Sequence, residues 1–307
     1  MRLTTSVLAA LTFSLVATCE AAAPPSSQKT FDSPKEAVAA LLQASEKNDV
    51  AALLAILGPD GKALVSSGDA VQDRSERAKF VAAAGEKTEV APDPKDAHRA
   101  TLVVGNKGWP FPVPVVQTNG RWRFESKEGA QELLARRIGE NELDAIEICR
   151  GYVEAQKEYA SEDRDGSGVH QYARRFVSTP GTHDGLCWKN PDGTPGGPIA
   201  ELAARALAEG YTGTAEPYHG YRFKILTKQG PAARLGSLDY VVNGTLIGGF
   251  ALIAWPAEYR VTGVMTFLVN HEGIVYEKDL GTDTPKNASQ TTTYDPDNSW
   301  TPAEDAP

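Results

Sequence analysis

Apolar positions recur along this chain in two rhythms, one helical and one of strands. Between residues 31 and 57 the period is helical: Ala37, Val38, Leu41 and Leu42 share a face, Ser33 precedes Pro34 as an N-cap, and Glu36 lies in the first turn. Asp49 caps a second short helix, which the turn Gly58-Pro-Asp-Gly61 ends. A further helix is predicted over 73–83. Residues 100–104, 111–117 and 122–125 read as strands joined by turns at Gly105 and Asn119-Gly120. The first part of the chain is therefore helices followed by a small curved antiparallel sheet.

From 127 to 160 the helical period returns through Leu133, Leu134, Ile138, Leu143, Ile146, Ile148, Val153 and Tyr159, and Gly139 predicts a break or kink near a domain boundary. Residues 240–281 switch to an antiparallel meander of three strands, interrupted by Pro256 and by the turn from Asn270 to Gly273. The runs 250–255 and 264–269 are nearly all apolar, as strands covered by a helix should be, whereas 274–278 passes from apolar to charged like a half-exposed edge. Residues 284–307, rich in Thr, Asp, Asn and Pro and without period, read as an extended or disordered tail whose end Trp300 pins. The expected class is α+β, with one domain over 27–138 and a second over 139–283, a long helix packed on the meander. A chain of 307 residues is more than one core usually serves.

Residues 1–23 carry one basic side chain, Arg2, then an apolar run from Leu3 to Ala17 and small residues, the pattern of a secretory signal peptide. The run falls short of the roughly 20 apolar residues a membrane span needs. Two processing routes stay open: cleavage after Ala21 or Ala23, or lipidation of Cys19 in the box Leu15-Val16-Ala17-Thr18-Cys19, where Thr18 replaces the usual Gly, Ala or Ser. The expected location is periplasmic or secreted, with a membrane reached only through that lipid anchor. Net charge is −9, from 31 basic and 40 acidic side chains, and no run of Lys or Arg could follow a phosphate backbone, so nucleic acid is not an expected partner. Past the leader only Cys149 and Cys187 remain, which leaves one disulfide or two buried thiols open.

Three resemblances add to this reading. The segment DSPKEAVAALLQASEKNDVAALLAIL resembles the start of NTF2-like domains, which implies helices lying across the sheet and closing a pocket; the nearby His98 sits in a charged loop and reads as exposed. The helix NELDAIEICRGYVEAQKEY, with GYRFKIL and FALIAWPAEYRVTGVMTFLVNHEGIVY downstream, resembles the globular part of type IV pilins and pseudopilins over 138–281. An unrelated domain stands where pilins carry their filament-forming helix half, so polymerisation is not implied. Over nearly its mature length the chain is also similar to a bacterial envelope family, domain-of-unknown-function family 2950, through AWPAEYRVTGVMTFLVNHEGIVYEKDLG, RDGSG and STPGTHDGL. That similarity implies no particular activity.

Candidate chemistry is sparse. Asp163, Asp165, Ser167 and the Val169 carbonyl match the first half of an EF-hand loop and are candidate calcium ligands, although Arg174 holds the place of the closing Glu and another carboxylate, such as Asp184, would have to complete the site. The alternative is a polar turn. His183 and Asp184 are the candidate catalytic pair, but no third group that would orient a base accompanies them. His170 precedes His183 by 13 positions, and His219 and His271 read as structural or exposed. The rings Tyr211, Tyr218, Tyr221, Tyr240, Trp255 and Tyr259 either line a groove for a glycan or peptide or pack on the sheet. The expected function is a non-enzymatic exported binding or assembly module, with an envelope protein or a glycan as partner. The alternative is a periplasmic hydrolase using the loop at His183 and Asp184, with or without a metal.

Overall fold

The structure is a computed structural model described over residues 28–164, 166–211 and 216–303. The leader 1–23 with Cys19, the metal candidate Asp165 and the last residues of the tail lie outside the described residues. The described chain is α+β. Helices α1 (Pro34–Glu46), α2 (Val50–Leu57), α3 (Lys62–Val65) and α4 (Ala70–Glu86) come first. Ser33 accepts from Glu36 N and Asp49 from Ala52 N, the N-caps read from the sequence, each worth about 1 kcal/mol.

Strands β1 (Thr88–Pro92), β2 (Arg99–Val104), β3 (Trp109–Pro110), β4 (Val115–Thr118) and β5 (Arg121–Phe124) then form an antiparallel sheet ordered β1-β2-β4-β5, with β3 paired to β2. Strands β1 and β3 had no clear period in the sequence. The expected strand 111–117 is shorter: Pro112 and Pro114 cannot donate to a ladder, and Phe111 instead continues β3, donating its N–H to Leu102 O.

Helix α5 (Ser126–Tyr159) runs 34 residues without interruption, which corrects the break expected at Gly139. Gly139 lies in open space, with nothing within 4 Å of where a Cβ would be. One interior glycine costs about 1 kcal/mol against alanine, and the packing of both helix ends outweighs it. The two ends serve different cores. Leu133 packs against a cluster built on Leu41, Leu53, Leu102 and Phe124, whereas Ala145, Cys149, Tyr152 and Val153 belong to a second cluster with Phe250, Leu252 and Phe267.

After α5 come a short hairpin of β6 (Trp188–Lys189) and β7 (Pro195–Gly196), helix α6 (Ala200–Glu209) and strand β8 (Tyr221–Leu226). Two further small ladders pair β9 (Lys228–Gln229) with β10 (Leu238–Asp239) and β11 (Val241–Val242) with β12 (Thr245–Leu246). The meander is β13 (Ala251–Pro256), β14 (Met265–Asn270) and β15 (Tyr276–Asp279), and Ile253 faces Lys224 on one side and Leu268 on the other. Every residue of β13 is buried, as its unbroken apolar run required.

The tail is the second correction. Residues 284–303 are ordered: α7 (Thr284–Gln290) packs Thr284 and Ala288 to full burial, Tyr294 is 2% exposed, and β16 (Thr301–Pro302) adds an antiparallel edge to β15, giving the order β16-β15-β14-β13-β8. Polar composition concealed a few anchors that suffice to hold the segment down. Lys278 sits over the Trp300 ring, 5.7 Å from its centroid. Among the described residues no helix is long and apolar enough to cross a membrane.

Candidate functional site

The helices of the first unit close over a cavity of ≈ 310 Å³, inside the range of small-molecule sites. Leu41 and Ser45 of α1, Leu53 and Leu57 of α2, and Leu64 and Val65 of α3 line one side. Phe80 of α4, Trp109 of β3 and Phe111 add an aromatic wall, the Phe80 and Phe111 rings lying 5.4 Å apart. The polar wall comes from two helices: Gln72, Asp73, Glu76 and Arg77 from α4, and Arg136, Arg137 and Glu140 from α5. Positions 73 and 77, like 72 and 76, are one helical turn apart and share a face.

Two guanidiniums of this wall, those of Arg77 and Arg137, donate to neutral groups. Arg77 donates through Nε to Asn48 Oδ1 at 2.6 Å and through Nη1 to Val65 O at 2.8 Å. Arg137 donates to Ala63 O at 2.7 Å and Leu64 O at 3.2 Å. Burial lowers the pKa of both, only partly offset by the charge of Asp73, and for Arg77 the neighbouring Arg74 and Arg137 lower it further. Asp73 is 7% exposed and accepts the Ser67 N–H on both oxygens, at 3.3 and 3.0 Å. At the rim, Glu76 pairs with Lys79 and Arg136 with Glu132, and Arg136 also lies 5.9 Å from the Trp109 ring centre.

One step from the cavity is a polar junction between the two units. Asp69 caps α4 with Oδ1, accepting from Val71 N and Gln72 N, while Oδ2 accepts from Tyr211 OH at 2.9 Å and Gly220 N at 3.0 Å. Gln72 Nε2 donates to Asn141 Oδ1 at 2.5 Å, and Asn141 Nδ2 to Thr262 O at 2.9 Å. Gly220 has φ +75°, and a Cβ there would stand 2.4 Å from Asn141 Nδ2, so only glycine fits. Beside it, His219 places Nδ1 2.7 Å from Asp144 Oδ2 and Nε2 3.0 Å from Glu209 Oε2, with its ring stacked 4.2 Å from Tyr218. Burial opposes an imidazolium here, but the hydrogen bonds and charges of Asp144 and Glu209 outweigh it and raise the pKa. The Tyr218 hydroxyl is buried without a hydrogen-bond partner, with the Arg205 guanidinium beside it.

The candidates singled out in the sequence lie elsewhere. The His183 ring packs 4.4 Å from Trp188, and its carbonyl accepts from Tyr159 OH. Asp184 turns to its own loop, accepting from Thr179 N at 2.7 Å, Thr179 Oγ1 and Thr182 Oγ1, with Arg175 Nε at 3.4 Å. Slight burial works against its charge, and these partners outweigh it and lower the pKa. Asp163 organises its turn by accepting from Ser167 N at 3.1 Å and Gly168 N at 2.8 Å, and Ser167 Oγ accepts from Val169 N. Arg174 donates to Gly244 O. Among the described residues no group of three or more His, Cys, Asp or Glu is placed to hold a metal ion.

Cys149 and Cys187 are free, buried thiols rather than a disulfide. Cys149 lies wholly inside the second core, where burial pushes its pKa up to about 12, and Cys187 donates to Trp188 O, its pKa also raised by burial. Of the six rings, Tyr211, Tyr221, Tyr240 and Trp255 are buried, with Tyr218 and Tyr259 half-buried. Tyr221, Tyr240 and Trp255 pack in the second core, Tyr211 and Tyr218 at the junction, and Tyr259 donates to Asp279 Oδ2 at the surface. His98 is exposed on Gln117, and His170 is exposed with Nδ1 3.0 Å from Ala160 O. The imidazole of His271 meets the edges of Tyr240 and Phe250.

The sequence reading missed the polar wall at Gln72, Asp73, Arg77 and Arg137, and the clasp on His219. The available signal was modest: charged residues one turn apart, Asp73/Arg77 on a helix whose apolar face was weak, and a histidine between two tyrosine-bearing turns. No curated protein and no solved structure matches this chain. The family described as a protein of unknown function, DUF2950, matches residues 28–303, and the chain belongs to that family.

Proposed function

We propose that this chain is an exported, non-enzymatic envelope protein whose first unit binds a small molecule in the cavity under α1, α4 and α5. The observation that carries this reading is the cavity itself: an apolar and aromatic floor with a few convergent polar groups, two of them guanidiniums held only by carbonyls and an amide. Such groups orient a ligand without supplying a nucleophile or a positioned base. The arrangement of helices across a sheet around a pocket supports the NTF2-like reading of the first unit. A long helix against the meander supports the pilin-like reading of the second. Export rests on Arg2 and the apolar run that follows it.

A panel of small molecules, read as rises in melting temperature of the mature protein, tests the binding reading, because a ligand that prefers the native state stabilises it by mass action. Hits should lose their effect in Leu133→Trp, which fills the cavity from α5. Hits that stabilise the variant as strongly as the wild type would place binding elsewhere. Mass spectrometry of the protein from its native host tests export: a chain still beginning at Met1 contradicts it, and a lipidated Cys19 selects the anchored form.

A further inference from the structure

Strand β8 is the outer strand of the second sheet, and its register shows which way its backbone points. Ala257 N donates to Gly220 O, so the bonded pairs with β13 fall at Gly220 and then at every second residue: Arg222 with Trp255, Lys224 with Ile253 and Leu226 with Ala251. The N–H and C=O of Tyr221, Phe223, Ile225 and Thr227 therefore turn away from the sheet. At one end Tyr221 exchanges two bonds with Tyr218, and at the other Thr227 O accepts from Tyr240 N. Phe223 and Ile225 lie between them, and among the described residues their outward N–H and C=O groups have no partner. The other edges of the two large sheets are closed or blunted: β1 ends in Pro92, Phe31 bridges β5 at Trp122, and β16 spans only Thr301 and Pro302.

A free edge of this kind is completed by an added strand. Its side chains choose which. Phe223 and Ile225 are half-buried and pack against the second core, while Lys224 points to the opposite face and donates to Ser289 O at 2.8 Å and Thr291 O at 2.7 Å, both neutral. The charged residues from 221 to 228 are Arg222, Lys224 and Lys228, all basic. A second copy fits poorly. The two-fold antiparallel register that uses the outward groups of both copies sets Phe223 against Ile225 and Lys224 against Lys224, like charges directly opposite. We propose that the β8 edge binds an extended segment of another protein as an added strand, with an acidic residue opposite Lys224 and apolar residues opposite Phe223 and Ile225. The backbone groups of Phe223 and Ile225 hold it, its carboxylate meets the Lys224 ammonium, and its apolar side chains extend the layer that Phe223 and Ile225 begin. This site uses the rim of the second unit, apart from the cavity and from the second core.

Fluorescence anisotropy of the mature protein with capped, dye-labelled peptides Thr-Val-X-Val-Thr, where X is Glu, Gln or Lys, tests this. The Glu peptide should bind best, and the Lys peptide about fivefold or more weakly. Lys224→Glu should reverse that order. Ile225→Pro deletes one outward N–H without touching the β13 ladder and should abolish binding. Amide hydrogen exchange of the wild type reads the edge without any variant: Phe223 and Ile225 should exchange fast while Lys224 and Leu226 stay slow, and the Glu peptide should slow the first pair. Equal protection of all four in the free protein would show a closed edge and overturn the proposal. So would no binding at millimolar peptide, binding that survives Ile225→Pro, or an unchanged order of peptides in Lys224→Glu. A wild-type dimer in analytical ultracentrifugation that Ile225→Pro dissolves overturns it in favour of a second copy.

Discussion

One helix, α5, serves two interiors that were finished in different ways. Its C-terminal half enters a core in which the main polar side chains close on one another: Gln156 donates to Ala173 O and Tyr152 OH and accepts from Ala173 N, Tyr221 donates to Met265 O, and Tyr240 to Gln229 Oε1. Its N-terminal half borders a cavity whose wall carries Arg77 and Arg137, each donating to neutral partners. The second unit has unpartnered polar atoms too, Tyr218 OH, Thr266 Oγ1 and His271 Nδ1, but none of these residues lines the cavity. Closed packing marks a scaffold, and a cavity with an apolar floor and a polar wall marks the place for a ligand.

The sharpest way to break this comparison is to truncate one side chain in each interior. Phe250→Ala removes a fully buried ring that meets Tyr152 and Tyr172, and should cost about 3–5 kcal/mol in urea denaturation. Leu133→Ala, at a half-buried position already bordering empty space, should cost less than about 2 kcal/mol. Equal losses would mean that the first interior is as closely packed as the second. Next in size is the junction: Gly220→Ala forces a Cβ against Asn141 from a left-handed backbone and should cost about 2 kcal/mol or more.

A gain is expected at Gly139→Ala, about 1 kcal/mol by thermal unfolding, because the site is helical with open space around it. A loss there would show that α5 does bend between the two units. The smallest effect is a pH dependence at the junction. Since the folded pKa of His219 is raised, its contribution to stability is fully present below the unfolded value of about 6.5 and fades as pH rises through the folded value. His219→Asn, which tolerates the φ of +48°, should remove that increment at low pH and leave stability above it nearly unchanged. Melting temperatures from pH 5 to 9 decide the matter, and an identical pH profile in the variant would exclude the clasp.

Much of the architecture was legible because it rests on local rules. The caps Ser33 and Asp49, the turn Asn119-Gly120 and the apolar runs of β13 and β14 each state their structure within a few residues. Gly139 misled because helix continuity was decided by two distant cores, and the tail misled because Thr284, Ala288 and Tyr294 bury against a sheet that composition does not reveal. The site was nearly illegible for the same reason. Gln72 meets Asn141 across 69 positions, and Asn141 meets Thr262 across 121. His183 and Asp184 looked reactive as neighbours in sequence, yet their side chains face Trp188 and Thr179.

The account stands most directly on where a ligand is felt. Methyl NMR of the mature protein, titrated with hits from the small-molecule panel, should move the resonances of Leu41, Leu53, Leu57, Leu64 and Leu133, which line the cavity, and leave those of Leu252, Ile253 and Leu268 in the second core still. Hits that shift the second set while the first stays fixed would contradict the division of this protein into a binding unit and a scaffold.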